Sequence, residues 1–208
     1  MSRRNFVDLP EEKRLLILRT AAQEFSAHGY ERASLNRIIA LCGMSKSSFY
    51  YYFDDKAELF TVLIERAMTR LAADMQFPEP ERLGDGDYWA NVETIFDRVA
   101  VVGTQQPWYL AVANLFYQGP GGASAPPVLE PILASAGQWV ERALRAGQES
   151  GAIRTDLPFG LLREAVFALL QALDRWSVQN AATMSADEVR DAAHAQADFL
   201  RRMLAPSF

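Results

Sequence analysis

Cysteine is almost missing from this sequence. Cys42 stands alone, which rules out an internal disulfide and a cysteine metal cluster. Histidine is nearly as scarce: His28 and His194 lie far apart in the chain, whereas a metal site needs clustered donors. His28 suits the negative end of a helix and His194 a solvated helix flank. Nucleophile elbow, phosphate loop and dinucleotide fingerprint are all lacking, so no catalytic residue, cofactor or metal is expected. The adjacent Asp54 and Asp55 read as a helix start, not as an acid and base pair.

The first residues, MSRRNFVDLPEEKR, carry charge but no apolar segment of the kind a secretory signal needs. The longest apolar stretches, such as AVFALLQAL, meet Asp174 and Arg175 well short of a membrane span. These shortages point to a cytoplasmic protein with no membrane partner. Positive charge is also in short supply: 21 basic residues face 26 acidic ones, for a formal net charge of -5. That balance argues at first against nucleic acid, whose phosphates are met by Lys and Arg. The shortfall is uneven, however. Residues 1–60 carry nine basic and eight acidic side chains, so the acidity belongs to the remainder. A near-neutral head can still bind DNA if its few cations point the same way.

Half the residues are hydrophobic and 23% are charged, the composition of a globular chain. Leu18, Ala21, Ala22 and Phe25 recur at helical spacing, with Pro10, Glu11 and Glu12 suited to a first turn and Gly29 to the end. This predicts a first helix over about 10–28. Ser34 is a suitable N-cap for a short second helix over Leu35, Ile38 and Ile39 to about Leu41, which Gly43 stops. Ser45 caps a third helix whose Phe49 and Phe53 lie four apart and face inward. That spacing is a helix-turn-helix. Lys46, Ser47, Tyr50 and Tyr51 then project from the other faces, near the helix start, where a recognition helix meets base edges.

Further on, Asp54 is placed to cap a fourth helix over about 55–75, and FPEPERLGDGD predicts a loop over 77–87. A fifth helix carries Val92, Ile95, Phe96, Val99 and Val102, and a sixth starts at Pro107. After the loop GPGGASAPP, a seventh runs from about Val128 or Pro131 to Glu149. An eighth, over about 158–180, has Leu162, Val166, Leu169, Leu173 and Trp176 on one stripe. A ninth, over about 185–204, opens on Ser185 and Glu188, a capping box. Its Val189, Ala192, Ala193, Gln196, Phe199, Leu200 and Met203 form a long apolar face. Two such faces at the chain end, with small alanines that permit close approach, point to self-association.

The head resembles the TetR family of transcriptional regulators. The family pattern is matched by Ile17, Ala21, Ala22, Phe25, Gly29 and Tyr30, by Ser34, Ile38, Gly43 and Ser45, and by Tyr50, Tyr52, Phe53, Lys56 and Leu59. Cys42, Met44, Ser47, Phe49 and Tyr51 depart from the family's common alanine, valine, glycine, leucine and histidine, which leaves the bases read open. GQESGAIRTDLP resembles the family's usual passage from the seventh helix to the eighth. The resemblance implies an all-α chain of about nine helices: a DNA-binding domain over 1–56 and an effector-binding and dimerisation domain over 57–208. By the same resemblance Ser34, Ser45, Tyr50, Tyr52 and Lys56 contact phosphates, Lys46, Ser47, Ser48 and Tyr51 lie nearer the bases, and Arg37 adds a contact. Family members dimerise through the last two helices, which nominates Leu162, Leu169, Leu173, Trp176, Val189, Ala193, Gln196, Phe199, Leu200 and Met203.

Residues 89–176 hold all four tryptophans, and an aromatic-rich body fits a hydrophobic or aromatic small effector. Phe96, Trp108, Phe116, Trp139 and Phe167 are the apolar candidates to line its pocket, with Asn114, Gln171 and Arg175 to orient it. The expected partners are thus an operator in double-stranded DNA, a second copy of the chain and a small molecule, and the expected activity is repression. An activator or partner-controlled regulator without an effector is the alternative, and a helical enzyme or binding protein with a vestigial head is the third reading.

Overall fold

The computed structural model describes residues 6–105, 110, 112–113 and 130–206. The expected sixth helix lies largely outside them, as does the GPGGASAPP loop. Eight α-helices are present among the described residues, and strands are not. By internal contacts the chain forms two units, Met1–Leu71 with Pro107–Leu129, and Ala72–Gln106 with Glu130–Phe208.

In the first unit, α1 (Glu11–Arg32) buries Ile17, Ala21, Ala22 and Phe25. Pro10 is its N-cap, one position earlier than the first-turn place expected. The regular helix ends where expected: Gly29 takes φ 69° and ψ 164°, a conformation that costs glycine little. Next, α2 (Leu35–Leu41) starts at Ser34, whose Oγ accepts the amide hydrogen of Arg37, and α3 (Lys46–Tyr52) starts at Ser45, whose Oγ accepts that of Ser48. Gly43 makes the turn between them at φ 62°.

Phe49 and Phe53 are fully buried, with ring centroids 5.1 Å apart, and Phe6 packs on Phe53 at 5.0 Å. Burial of each such ring stabilises the fold by about 2–3 kcal/mol. The fourth helix, α4 (Lys56–Met75), has its cap one residue later than predicted. Asp55 Oδ1 accepts from Glu58 N at 2.8 Å, and Glu58 Oε2 accepts from Asp54 N at 2.6 Å. The bond from the Glu58 amide selects Asp55, because a cap side chain accepts from the third residue beyond it.

The second unit contains α5 (Tyr88–Gln105), α6 (Glu130–Glu149), α7 (Phe159–Asn180) and α8 (Ala186–Leu204), the last three being the predicted seventh, eighth and ninth helices. A short 3₁₀ turn, Pro80–Gly84, sits within the loop predicted over 77–87. Leu83, Tyr88, Trp89, Val140, Leu144, Ile153, Leu162, Val166 and Leu200 share one core. The polar ends of its large aromatics are all satisfied: Tyr88 Oη donates to Ala143 O at 3.1 Å, and Trp89 Nε1 to Ala152 O at 3.2 Å.

At its C-terminal end α6 closes on itself. Ala152 N donates to Gly147 O and Gly151 N to Gln148 O, with Gly151 at φ 75°. This pair of bonds satisfies the last carbonyls of the helix. The capping box predicted at Ser185 and Glu188 is present. His194 is not simply a solvated flank: its Nε2 lies 2.6 Å from Asp97 Oδ1 on α5. The α5–α8 packing brings together two side chains 97 positions apart in the sequence, which no local pattern could pair.

The long apolar face expected on α8 is two stripes. Ala193, Ala197, Leu200 and Leu204 are buried in the unit's own core, whereas Phe199 and Met203 remain 46% exposed. Positions 193, 197, 200 and 204 fall on one side of a 3.6-residue helix, and 192, 196, 199 and 203 on the stripe beside it. On α7 the same division places Leu162 and Val166 inside and Leu161 and Trp176 outside. Leu162, Ala193 and Leu200 are therefore core residues of the single chain rather than free interface residues.

Candidate nucleic-acid interface

The helix-turn-helix presents a short outward row. With Phe49 anchored inside, Lys46, Ser47, Ser48, Tyr50 and Tyr51 of α3 are all exposed, Tyr50 at 49% and Tyr51 at 62%. Leaving two large aromatics this open forgoes the burial energy they could gain. Both keep a defined geometry: Tyr50 meets the edge of Phe49 at 5.7 Å, and Tyr51 that of Tyr52 at 5.1 Å. Tyr52 is half-buried and borders a recess of about 80 Å³ with Phe6 and Val62.

The hydroxyls of Ser34 and Ser45 already accept the cap bonds of α2 and α3, and Ser45 Oγ lies 3.0 Å from Ser47 Oγ. An accepting hydroxyl still has a hydrogen to donate. Such a group beside the free amides of a helix start can meet a phosphate oxygen.

The two remaining predicted contacts, Arg37 and Lys56, are held by the protein itself. Arg37 Nη1 lies 3.3 Å from Glu24 Oε2 and 2.5 Å from His28 Nε2. Lys56 Nζ donates to Glu31 O at 2.9 Å and reaches Ala33 O at 3.5 Å, with the face of the Tyr30 ring 4.8 Å away. Arg37 is half exposed and retains free donors.

Sequence reasoning missed Glu24. Its side chain is only 4% exposed, and it accepts from Ser34 N at 2.9 Å as well as from Arg37. His28, read as a dipole partner, also faces it at 3.7 Å. One signal was available: Glu24 sits on the same stripe as Ile17 and Ala21, where a carboxylate makes sense only with donors waiting. Cys42 is the half-buried end of α2; burial pushes its thiol up, and a hydrogen bond with Thr20 offsets part of that.

In the second unit the effector candidates separate. Phe167 and Gln171 border a hollow of about 370 Å³ between α6 and α7, together with Gly137, Gln138, Glu141 and Arg163. Glu141 bonds to both Arg145 and Arg163, which hold its carboxyl below the usual range. Phe96 packs against the core. Trp139 does the same, donates to Pro78 O at 3.1 Å and meets Phe77 at a tilt, ring centroids 5.7 Å apart. Arg175 is exposed, and Trp108, Asn114 and Phe116 lie outside the described residues.

Of the remaining interface candidates, Leu169, Leu173 and Val189 are half-buried, and Gln196 donates to Ser177 Oγ at 2.8 Å. Among the described residues no group of three or more His, Cys, Asp or Glu is placed to hold a metal, and no helix is long and apolar enough to cross a membrane.

Comparison with known proteins agrees with this geometry. A family model described as "Bacterial regulatory proteins, tetR family" matches residues 17–63, the span from α1 to α4. A transcriptional repressor of the helix-turn-helix type from Streptomyces coelicolor is 29% identical over 171 residues, covering 81% of this chain and 80% of its own. A TetR-family transcriptional regulator from Chloroflexus aurantiacus superposes with a TM-score of 0.74 at 21% identity, over 98% of both chains. The regulator FadR of Bacillus subtilis, solved with stearoyl-CoA, does so at 0.68 and 15% identity, over 89% of this chain and 96% of its own. At such identities the structural likeness concerns the fold.

Proposed function

Given that this chain belongs to the TetR family of bacterial regulatory proteins, we propose that it is a cytoplasmic, homodimeric repressor that occupies a palindromic operator and leaves it when a small apolar effector binds its second unit. The observation that carries the DNA reading is the exposed row Lys46, Ser47, Ser48, Tyr50 and Tyr51 on a helix whose opposite face is fully buried. In this reading the hydroxyls of Ser34, Ser45 and Tyr50 position the head on phosphates, while Lys46, Ser47 and Tyr51 meet the groove.

The exposed stripes carrying Trp176, Phe199 and Met203 support pairing with a second copy. A dimer would space its two heads by about one helical turn of DNA, ~34 Å, or a multiple of it. The acyl ligand of FadR and the hollow beside Phe167 and Gln171 support an apolar or amphiphilic effector.

The test is a gel-shift titration with DNA flanking the protein's own coding region, comparing wild type with Lys46→Ala and Tyr51→Ala. Wild type should bind in a salt-dependent manner, and both variants should bind at least tenfold more weakly, the loss of roughly one good contact per head. If both variants bind like wild type, the assignment of α3 as the reading helix is wrong. If wild type shows no salt-dependent binding to any duplex, the proposed function itself is wrong.

A further inference from the structure

Lys56 opens α4, yet its ammonium points back into its own unit. The nitrogen donates to Glu31 O at 2.9 Å and approaches Ala33 O at 3.5 Å, beside the ring of Tyr30. Those two carbonyls belong to the corner between α1 and α2, past the break at Gly29. Carbonyls at a helix end lack helical partners, and a cation there satisfies them and favours the local dipole. Tyr30 in turn packs between Phe25 and Phe60, at 6.0 and 5.1 Å.

The corner is gripped from its other side as well. Ser34, its last residue, gives its amide hydrogen to the buried Glu24 and uses its hydroxyl to cap α2. Gly43, at φ 62°, turns the chain from α2 towards α3. The placement of the reading helix therefore depends on a corner held by Glu24 on one side and Lys56 on the other. Lys56 itself is fixed by the cap of α4, where the Asp55 carboxylate accepts from Glu58 N and the Glu58 carboxylate accepts from Asp54 N.

We propose that Lys56 is a positioning residue, whose ammonium holds the α1–α2 corner in the place that aims α3, rather than a phosphate contact. This rests on the DNA-binding function proposed above.

The chain has three lysines, Lys13, Lys46 and Lys56, which makes a direct test simple. Amine acylation of the full-length wild type, followed by mass spectrometry with and without operator DNA, reads each lysine separately. In free protein Lys56 should react several-fold more slowly than Lys13, and DNA should protect Lys46 while leaving Lys56 unchanged. Lys56 reacting as fast as Lys13 in free protein, and becoming protected on DNA, would overturn the proposal.

The second measurement is the salt dependence of operator binding. Lys56→Met should weaken binding roughly tenfold at every salt concentration, with the slope unchanged, and amide exchange at Arg37 and Ile38 should accelerate. A simple loss of global stability would not single out those amides, and Lys56→Arg should restore binding. A slope reduced by about 0.9 for each lysine lost would make Lys56 a phosphate contact and overturn the idea. If Lys56→Met does not fold, the wild-type acylation pattern still decides. That pattern in free protein also stands apart from DNA binding, so failure of the proposed function and failure of this inference are distinguishable.

Discussion

A methyl group added to α6 should have opposite effects ten residues apart. At Gly137 the nearest heavy atom to an added Cβ is Phe167 Cε2 at 4.0 Å, an ordinary contact. Replacing glycine by alanine inside a helix is worth about 1 kcal/mol in backbone entropy, so Gly137→Ala should stabilise the chain by up to that amount. At Gly147 the same Cβ would lie 2.6 Å from Ile153 Cδ1, 2.7 Å from Ile153 Cγ1 and 2.9 Å from Tyr88 Cζ, far inside the ~3.5 Å at which carbon contacts become favourable.

The neighbours cannot yield easily. Ile153 is 1% exposed, Tyr88 is tethered through its hydroxyl to Ala143 O, and Gly147 O accepts two amides from the chain that carries Ile153. Overpacking of this kind costs about 1–3 kcal/mol, and losing part of the helix-end closure adds to that. Gly147→Ala should therefore be destabilising by roughly 1–2 kcal/mol after the propensity gain is counted. Urea unfolding followed by tryptophan fluorescence measures both, because Trp89 and Trp139 report on this core. If Gly147→Ala melts at or above the wild-type midpoint, the packing argument at the end of α6 fails.

Three other substitutions test the structure elsewhere. Glu24→Ala should cost about 2 kcal/mol by stranding the amide of Ser34, with little from the half-exposed Arg37, and Glu24→Gln about half of that because one acceptor is kept; equal losses in far-UV denaturation would contradict it. Burial pushes the Tyr88 phenol up from 10.0 to about 12, so its contribution to stability is intact below pH 10 and is lost as pH rises from 10 to 12, where the unfolded chain ionises first. Tyr88→Phe should flatten that alkaline decline while costing about 1 kcal/mol at neutral pH for the bond to Ala143 O, read from denaturation at a series of pH values. Trp176→Glu should convert the proposed dimer to a monomer in light scattering, since it places a charge on an exposed apolar stripe; an unchanged mass would remove Trp176 from the interface.

What could be read from residues alone was whatever depends on a residue and its near neighbours. Helix periods, serine caps at Ser34, Ser45 and Ser185, and the glycine stops at Gly29, Gly43 and Gly151 are local physics, so the boundaries held to within a few residues. Two helix starts were misplaced by one residue: Pro10 caps α1 rather than opening it, and Asp55 rather than Asp54 caps α4, a choice between adjacent acids that the bond from the Glu58 amide settles. The head's motif was legible for the same reason: it is short, and its spacing is its geometry.

The tertiary structure alone decided which polar groups are spent inside and which stay free. Lys56 meets carbonyls 23 and 25 positions away, Glu24 meets Ser34 across a helix end, and His194 meets Asp97 across two helices. It also decided which of two neighbouring apolar stripes on α8 is core, setting Leu200 inside and Phe199 outside. A sequence states what each side chain can bind, but long-range packing chooses its partner, because burying any polar group strands it unless a partner arrives with it.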